Sequence, residues 1–480
     1  MTETNNNNDQ ESPPTPLQQA SFLLRKYKLV EGLVNLQDSV DQSFNESVVQ
    51  KQNLTELQEF LDQLHPADIA NILEALPIED RLLIWGMIKT DRDGEVLLET
   101  SDAVRTSLIT DMGTQELVAA TEYLDADEIA DLAPDLPQEV MDDVFRSLPM
   151  DEREQLRAAM SYPEDSVGAL MDFDVITIRE DVRLEVVLRY LRRLDEMPDH
   201  TDQLFVVDRN EQLKGVLLIN RLIVSDPDIL VTEVMTKEMI KLRPNDIAQQ
   251  AANAFERYDL VSASVVDENN KLLGRVTVNV VIDFIRETAE NEALNLAGLN
   301  EEEDLFAPIL KSVKNRWGWL AINLVTAFIA SRVIGLFEDS IEKLVALAAL
   351  MPIIAGIGGN SGNQTITMIV RALALDQINT SSAWKLITKE VGVSIVNGLL
   401  WGTVVGLFTF AIYQNAELGL VMTLAMTLNL LLAALLGVII PLTLRKLGRD
   451  PALGSSVMIT AVTDSGGFFI FLGLATFFLL

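Results

Sequence analysis

Long apolar runs separated by short charged loops fill the chain after about residue 310, and no such run occurs before it. A helix of about 20 apolar residues spans the hydrocarbon of a bilayer. Five runs reach that length, so the pattern predicts a multi-domain membrane protein in which a soluble part precedes a five-helix transmembrane domain. The predicted transmembrane domain covers residues 315–480, with helices at about 317–337, 344–370, 391–413, 418–444 and 451–479.

Basic residues lie at alternate ends of these runs. They precede the first run and occupy the loops between the second and third runs and between the fourth and fifth runs, whereas the two other loops hold only Lys343. Because basic loops are retained in the cytoplasm, we expect a cytoplasmic N-terminus and an outside C-terminus. Residues 1–21 lack the basic and apolar segments of a signal peptide and are predicted to be a disordered tail.

Residues 22–160 are predicted to form an acidic, all-α superhelical domain. Apolar residues recur there at helical spacing, and prolines stand at several predicted helix starts. The segment DIANILEALP at 68–77 is similar to EIADLAPDLP at 128–137, which favours short helices stacked as a superhelix. His65, which precedes Pro66, is interpreted as a helix cap or surface residue and not as a metal ligand.

A tandem α/β repeat is predicted over residues 165–284. The segment VVDRNEQLKG at 206–215 recurs as VVDENNKLLG at 265–274, and LMDFDVITIREDV recurs upstream as VMTKEMIKLRPNDI. Each copy reads as strand–helix–strand–strand–helix, and an internal repeat of this period indicates a tandem module. The arrangement resembles a pair of CBS domains, which implies a regulatory module that binds adenosine nucleotides or ions.

Both repeats depart from the nucleotide-binding CBS pattern. That pattern ends the second strand with Thr-x-x-Asp, whose carboxylate holds a ribose, but here Thr277 is followed three residues later by Val280. Asn279 and Asp283 are the alternative candidates for that role. The departure argues against ATP as a ligand without excluding it.

Residues 285–314 are predicted to form a charged connecting helix between the repeat module and the first membrane helix. Such a helix would link the module mechanically to the membrane domain. The alternative interpretation of the same residues is a solvated helical linker without a mechanical role.

The soluble part carries almost the whole negative charge of the chain. Residues 1–290 contain 58 acidic and 26 basic residues, whereas residues 291–480 contain 13 and 11. This charge argues against nucleic acid as a partner and suits divalent cations, whose preferred ligands are carboxylate oxygens. Ordinary solubility or adaptation to salt also explains it, so charge alone leaves both interpretations open.

The composition argues against an enzyme. The chain has no cysteine and only two histidines, so thiolate or histidine-built metal sites and histidine-based catalytic triads are not expected. The sequence also contains no phosphate loop and no metal-hydrolase spacing.

The second apolar run contains the glycine- and amide-rich segment PIIAGIGGNSGNQ at 352–364. Each glycine weakens a helix by about 1 kcal/mol relative to alanine, so the segment needs a structural reason. Close approach of helices explains the glycines, whereas lining of a polar path explains the amides as well. We therefore favour a polar path.

Asp464 is the only charged residue in the fifth run. A carboxylate deep in a membrane helix is costly and by default marks an ion pathway. Hydroxyl and amide side chains of the runs complete an all-oxygen environment that suits Mg²⁺, Ca²⁺ or Mn²⁺. They belong to Thr460, Thr463, Ser465, Asn397 and Asn429. Two-fold symmetry would bring two Asp464 side chains to one hydrated ion. An ion pair with Arg332 of the first run is the structural alternative.

The order of these parts resembles the MgtE family of magnesium channels. The resemblance rests on PIIAGIGGNSGNQ, on DPALGSSVMITAVTDSGG and on YPEDSVGALM, and it covers the chain from about residue 22. It implies a homodimeric, Mg²⁺-selective channel of the bacterial inner membrane, with its pore on the dimer axis. It also implies that Asp464 holds hydrated Mg²⁺ with help from the Thr460 carbonyl, and that Gly358, Gly359 and Asn360 contribute to the pore wall.

The resemblance further implies that cytoplasmic Mg²⁺ binds between acidic faces of the soluble part, compacts it and closes the pore. The candidate residues for this regulatory metal are Asp259, Asp283, Glu290, Glu292 and Asp450. Three residues depart from the family pattern, because Val280, Gln249 and Gln250 stand where an acid is common. Sensing is therefore expected to be weaker than usual or to use other carboxylates.

Two other functions compete with an Mg²⁺ channel. One is a CBS-regulated transporter of another divalent cation or solute, because the soluble part would serve either. The other is a membrane-anchored sensor that transports nothing. Uptake measurements with Mg²⁺ and with other cations distinguish the first alternative from an Mg²⁺ channel. A sensor without transport predicts that replacing Asp464 leaves Mg²⁺-limited growth unchanged.

Overall fold

The computed structural model describes residues 15–35, 40–194, 196–299, 304–374, 378, 383–452 and 454–480. The chain divides into two compact units. The first unit comprises Met1–Arg286 and Asp304–Ala307, and the second comprises Glu287–Glu303 and Pro308–Leu480. The helical domain and the repeat module lie in the first unit, and the long apolar helices lie in the second.

The first unit begins with short helices, as the spacing of apolar residues predicts. They are α1 Pro16–Asn35, α2 Val40–Leu61, α3 Pro66–Glu74, α4 Ile78–Trp85, α5 Asp93–Glu99, α6 Asp102–Asp111, α7 Thr114–Ala120, α8 Ala126–Leu132, α9 Gln138–Ser147 and α10 Met150–Ala159. Their apolar faces meet in one core, where Ile69, Leu108 and Ile129 are fully buried. The all-α character predicted for this domain is therefore present.

The first helix starts within the segment predicted to be a disordered tail. The Thr15 hydroxyl accepts a hydrogen bond from the Gln18 N–H at 3.3 Å, and Gln18 Oε1 accepts one from the Thr15 N–H at 3.1 Å. This reciprocal capping, followed by a proline, starts a helix. Leu23 of α1 is then buried in the helical core. The predicted tail is thus wrong for residues 16–21, and residues 1–14 lie outside the described residues.

His65 caps α3, as its position before a proline suggests. The imidazole Nδ1 accepts a hydrogen bond from the Ala67 N–H at 3.3 Å, and Pro66 is the first helical residue. The interpretation of His65 as a cap is therefore confirmed.

A buried ion pair ties a distant segment of the chain to the helical domain. Arg81 of α4 is fully buried, and its guanidinium binds both carboxylate oxygens of Asp304, at 2.6 and 3.0 Å. The remaining guanidinium N–H groups donate to the carbonyls of Leu73 and Leu76 and to the Ser107 hydroxyl. All five donors of Arg81 are thus used. The segment Asp304–Ala307 consequently belongs to the first unit.

The rest of the first unit is the α/β repeat. The first copy contains β1 Thr177–Arg179, α11 Leu184–Leu191, β2 Gln203–Val207, β3 Leu213–Leu218 and α12 Ile219–Val224. After the short helix α13 Val231–Val234, the second copy contains β4 Lys241–Leu242, α14 Ala248–Tyr258, β5 Ser262–Val266, β6 Leu272–Thr277 and α15 Val278–Ala297. In each copy the first strand pairs parallel and the third pairs antiparallel with the middle strand. The predicted strand–helix–strand–strand–helix repeat is therefore confirmed.

The connecting segment is not one helix over residues 285–314, contrary to the prediction. α15 ends at Ala297, because Gly298 adopts a left-handed conformation with φ of +80°. The Leu299 N–H then donates to the Leu294 carbonyl at 2.9 Å, which is a glycine-based helix stop. The next helix starts separately at Ile309, after a proline.

Five long helices occur among the described residues of the second unit, with one short helix between the first two. They are α16 Ile309–Gly335, α17 Glu338–Lys343 (the short one), α18 Ala346–Ala374, α19 Ala383–Tyr413, α20 Ala416–Lys446 and α21 Ser455–Leu479. All the long helices except α18 are long and apolar enough to cross a membrane. α18 has 29 residues, but its glycines and amides lower its hydropathy, so a fifth crossing stays a prediction.

Glycines allow α19 and α20 to pack closely. A Cβ atom at Gly402 would lie 2.8 Å from the Thr423 carbonyl oxygen, and one at Gly406 would lie 2.6 Å from the Gly419 carbonyl oxygen. The Thr423 hydroxyl also donates to the Gly402 carbonyl at 3.0 Å. Small residues spaced by four therefore form the contact face of α19, as is common in membrane helix packing.

We expect Asp304→Ala to destabilise the helical domain by about 3–5 kcal/mol, because it leaves the buried Arg81 guanidinium without its counter-charge. Chemical unfolding followed by the fluorescence of Trp85, which lies in this core, measures the loss. Asp102→Ala is the matched control, because its ion pair with Arg105 is exposed on the carboxylate side and such pairs contribute about 0–1 kcal/mol. Equal effects of the two substitutions would contradict the role of the buried pair.

Candidate functional site

The glycine-rich segment of α18 faces two neighbouring helices. A Cβ atom at Gly362 would lie 2.3 Å from Ile459 of α21, and one at Gly359 would lie 3.8 Å from the Thr463 hydroxyl. Gly358 and Gly359 are both buried, whereas Asn360 is exposed. The glycines therefore serve close helix packing, and the exposed amide of Asn360 leaves one side of the segment polar. Close helix packing thus accounts for the buried glycines, whereas the exposed Asn360 supports a polar path.

Asp464 and Thr460 lie on one face of α21, since residues four apart in a helix are neighbours. Thr460 is exposed and Asp464 is half-buried. Thr463, on the adjacent face, is fully buried and its hydroxyl donates to the carbonyls of Ile459 at 2.8 Å and Thr460 at 3.2 Å. One side of α21 therefore packs against protein, while the side with the carboxylate stays accessible.

Asp464 makes no ion pair with Arg332 among the described residues. The structural alternative considered for this carboxylate therefore lacks support. A single carboxylate in an apolar helix without a protein counter-charge needs water or a cation.

The sequence analysis placed Asn429 of the fourth run among the polar side chains of a predicted all-oxygen environment. In the structure Asn429 is 1% exposed, and its Nδ2 donates to the Ile354 carbonyl of α18 at 3.0 Å. The same amide faces Gly358 of α18 and Gly467 of α21. Asn429 therefore contacts both helices that carry the candidate pore residues, which periodicity could not reveal.

The loop between α20 and α21 contacts the end of α15. Asp450 accepts a hydrogen bond from Asn295 Nδ2 at 2.9 Å and another from the Ala452 N–H at 2.8 Å. Burial, together with the negative charge of Asp450, raises the pKa of Glu292 above its ordinary value. Of the candidate regulatory acids, Glu292 and Asp450 are thus brought together.

The other candidate regulatory acids occupy separate places. Asp259 ends α14 with φ of +50° and lines a cavity of about 440 Å³ with Asp202 and Ser262. Asp283 is exposed on α15, although partial burial of its carboxyl raises its pKa. Glu290 is exposed on the same helix. No group of three or more potential metal ligands forms among the described residues.

An acidic contact between the helical domain and the repeat module escaped the sequence interpretation. Burial, and next the charge of Asp172, raise the pKa of Asp127 at the start of α8 to about 8. Burial and neighbouring acids also raise the pKa of Asp125 and Glu128. Asp172 precedes β1 and pairs with Arg275 at 2.7 Å. The acidic run DADE at 125–128 is visible in the sequence. Its proximity to Asp172 is not, because Asp172 is distant in sequence.

Three family models match the chain. The MgtE model, described as a divalent cation transporter, matches residues 351–474, and the model of the MgtE intracellular N domain matches residues 64–165. The CBS domain model matches residues 167–225 and 231–287. The membrane helices, the helical domain and the repeat module each correspond to one of these models.

The chain is also similar to whole proteins from bacteria. The magnesium transporter MgtE of Thermus thermophilus is 30% identical over 440 residues, which cover 90% of this chain and 96% of that protein. The magnesium transporter MgtE of Bacillus subtilis is 27% identical over 426 residues, covering 89% and 94%. A crystal structure of the cytosolic domain of the Mg²⁺ channel MgtE with ATP aligns to 50% of this chain and 98% of that chain, at 29% identity and a TM-score of 0.45.

The raised pKa of Asp127 predicts a pH dependence of stability. The pKa of its carboxyl is 3.8 in the unfolded chain and is raised to about 8 in the folded chain. Between these two pH values the folded chain therefore binds one proton more than the unfolded chain. Stability is therefore expected to fall as pH rises from about 4 to about 8. Thermal unfolding of the full chain without divalent cations measures this fall, and we expect Asp127→Asn to reduce it.

Glu122→Gln is the control for this measurement, because Glu122 is an exposed acid in the same domain. An Asp127→Asn variant that keeps the full pH dependence of the unmodified chain would contradict the assignment. The assignment would also be contradicted if Glu122→Gln reduced the pH dependence of stability as much as Asp127→Asn does.

Proposed function

Because the chain belongs to the MgtE family of magnesium transporters, we propose that it carries Mg²⁺ across a membrane along a path lined by α18 and α21. Asp464 is the residue that holds the ion, and the Thr460 carbonyl assists it. Gly358, Gly359 and Asn360 contribute to the wall of the path. The single observation that carries this proposal is the half-buried carboxylate of Asp464 within an apolar helix, which makes no ion pair among the described residues.

The chemistry of Mg²⁺ explains why one carboxylate for each chain is sufficient. Mg²⁺ loses its water reluctantly and keeps several water molecules when it binds carboxylates. Contact through those waters needs negative charge and hydrogen-bond acceptors more than an inner cage of ligands. In a homodimer with its path on the two-fold axis, two Asp464 side chains neutralise the ion. Loose binding of this kind allows the ion to leave as well as to enter.

The proposed orientation follows from the loop charges. The chain is a multi-pass membrane protein, and we place its N-terminus in the cytoplasm and its C-terminus outside, because basic loops are retained in the cytoplasm. This orientation requires α18 to cross as a fifth span. Burial of the α18 glycines and Asn429 against one another supports that crossing, since their polar groups then avoid lipid.

We further propose that cytoplasmic Mg²⁺ closes the path. Like charges that are forced together oppose compaction, and a cation bound only to the compact form stabilises that form by mass action. Two places suit this effect: the pair Glu292 and Asp450, and the acids around Asp127. Asp259, Asp283 and Glu290 are further candidates.

ATP is proposed only as a secondary ligand of the repeat module. The cavity of about 440 Å³ there offers oxygens of Asp202, Asp259 and Ser262 to ribose hydroxyls. The same carboxylates repel phosphates unless Mg²⁺ bridges them. The missing acid at Val280 also argues against tight binding.

Replacing Asp464 tests the transport proposal. Asp464→Ala is expected to reduce Mg²⁺ uptake into liposomes at least about tenfold, which corresponds to a loss of about 1.4 kcal/mol of ion stabilisation. Asp464→Glu should retain part of the uptake, because it keeps the charge. Glu417→Ala removes an exposed acid at the start of α20 and serves as the control.

The competing functions give different results in the same assay. Transport of another solute predicts no Mg²⁺ uptake by the unmodified chain but uptake of Ca²⁺, Mn²⁺, Co²⁺ or a different substrate. A sensor without transport predicts no uptake at all and no effect of Asp464→Ala on growth under Mg²⁺ limitation. Unchanged uptake by Asp464→Ala would refute the assignment of the ion site.

Limited proteolysis across an Mg²⁺ titration tests the gating proposal. We expect Mg²⁺ to protect the region before residue 316, because bound cations favour the compact form. Glu292→Gln should raise the Mg²⁺ concentration needed for protection severalfold, whereas Glu185→Gln, at an exposed acid of α11, should not. Cleavage that is insensitive to Mg²⁺ would rule out this form of gating.

A further inference from the structure

One polar side chain lies fully buried at the centre of the packed membrane helices. Asn429 of α20 is 1% exposed, and its Nδ2 donates to the Ile354 carbonyl at 3.0 Å. Its Oδ1 is buried and has no hydrogen-bond partner among the described residues. An apolar side chain of similar branched shape, such as leucine, would avoid the cost of this unpaired oxygen. The amide therefore needs a reason beyond filling space.

The space around this amide is created by glycines of two other helices. A Cβ atom at Gly358 of α18 would lie 2.2 Å from Asn429 Nδ2, and one at Gly467 of α21 would lie 2.7 Å from it. Both distances are too short for any other residue, so the Asn429 side chain fills the gap that the two glycines leave. Its shape thus sets how closely α18 and α21 approach each other.

The hydrogen bond to Ile354 adds a fixed position along the helix axis. Pro352 stands inside α18 and lacks the N–H that would support the preceding turn. The Asn429 amide bonds to the carbonyl of Ile354, two residues after this proline, and so adds a contact from a neighbouring helix close to the turn that the proline weakens. Packing alone would allow α18 to slide, whereas a directed hydrogen bond does not.

These contacts join the two segments that carry the proposed ion path. Gly358 opens the segment that continues to Asn360 on α18, and Gly467 follows Asp464 by three residues on α21. Both segments touch the same amide. We propose that Asn429 is a positioning residue, which fixes the distance and register between the α18 segment and Asp464 and thereby sets the selectivity of the path. This proposal rests on the transport function proposed above.

Asn429→Leu is the informative variant, because it keeps the branched shape of the side chain and removes the donor. We expect it to fold and to transport Mg²⁺, but to lose discrimination of Mg²⁺ against Mn²⁺ and Co²⁺ in liposome uptake by roughly tenfold. Thr427→Val is the matched control: it removes a hydroxyl two positions away on α20 that bonds within its own helix and packs near Gly398 of α19. The control should keep the discrimination of the unmodified chain.

A second measurement does not depend on transport. The chain has no cysteine, so a Gly359→Cys and Thr463→Cys pair, placed where the Cβ to hydroxyl distance is 3.8 Å, reports directly on the approach of α18 and α21. Oxidation should consume both thiols, as measured by the loss of labelling with a maleimide polymer. Adding Asn429→Leu should slow this oxidation, and adding Thr427→Val should not.

If Asn429→Leu alone fails to fold, the size exchange of Asn429→Ala with Gly467→Ala replaces it. Gly467→Ala should abolish selective uptake by itself and be tolerated once Asn429 is shortened, because the methyl group then has space.

The two arms separate failure of this inference from failure of the transport proposal. Unchanged cross-linking and unchanged ion discrimination in Asn429→Leu would overturn the positioning role. Slower cross-linking caused by Asn429→Leu, found together with an absence of Mg²⁺ uptake by the unmodified chain, would support the positioning role and refute the transport proposal instead.

Discussion

Hydrocarbon offers no hydrogen bonds, and this constraint governs the second unit. Every polar group within the long helices needs a partner in the protein or access to water. The helices α18, α20 and α21 satisfy it by approaching closely through glycines, so that the Asn429 amide reaches the Ile354 carbonyl. Thr463 needs no neighbouring helix for its hydrogen bond, because its hydroxyl donates to carbonyls of its own helix. Without the glycines these contacts could not form, and the polar segment of α18 would not be compatible with a membrane.

Asp464 is an exception to this rule, as is the buried Oδ1 of Asn429, and the position of the carboxylate is informative. Its neighbours on the buried side of α21 are satisfied by protein groups, whereas the carboxylate and Thr460 face away from the packed core. Asp464 makes no ion pair with Arg332 among the described residues. A carboxylate within an apolar helix by default marks an ion pathway. α21 therefore has a packing face and a second face that we propose for the ion.

The first unit deals with charge in the opposite way. It carries a large negative excess, yet the one fully buried arginine of its helical core uses all five donors, two of them on Asp304. That pair brings a segment just before the first membrane helix into the helical domain. Where acids meet without such a partner, as around Asp127, their pKa values rise because compaction opposes their ionisation. A divalent cation would relieve the same opposition without a proton, which is the physical basis for the control by Mg²⁺ that we propose.

The sequence by itself determined the series of long apolar helices after about residue 310, the tandem repeat and the cap at His65, and it singled out Asp464 as the ion site that we propose. Each of these follows from a local pattern: apolar length, repeated segments, a residue before a proline and an isolated charge. It did not determine where α15 stops, since Gly298 acts through a single dihedral angle within a charged, helix-like segment. Nor could it pair Arg81 with Asp304, Asp127 with Asp172 or Asn429 with two glycines, because these contacts join residues far apart in the chain. Only the tertiary structure decided them, because packing, and not periodicity, brings such groups together.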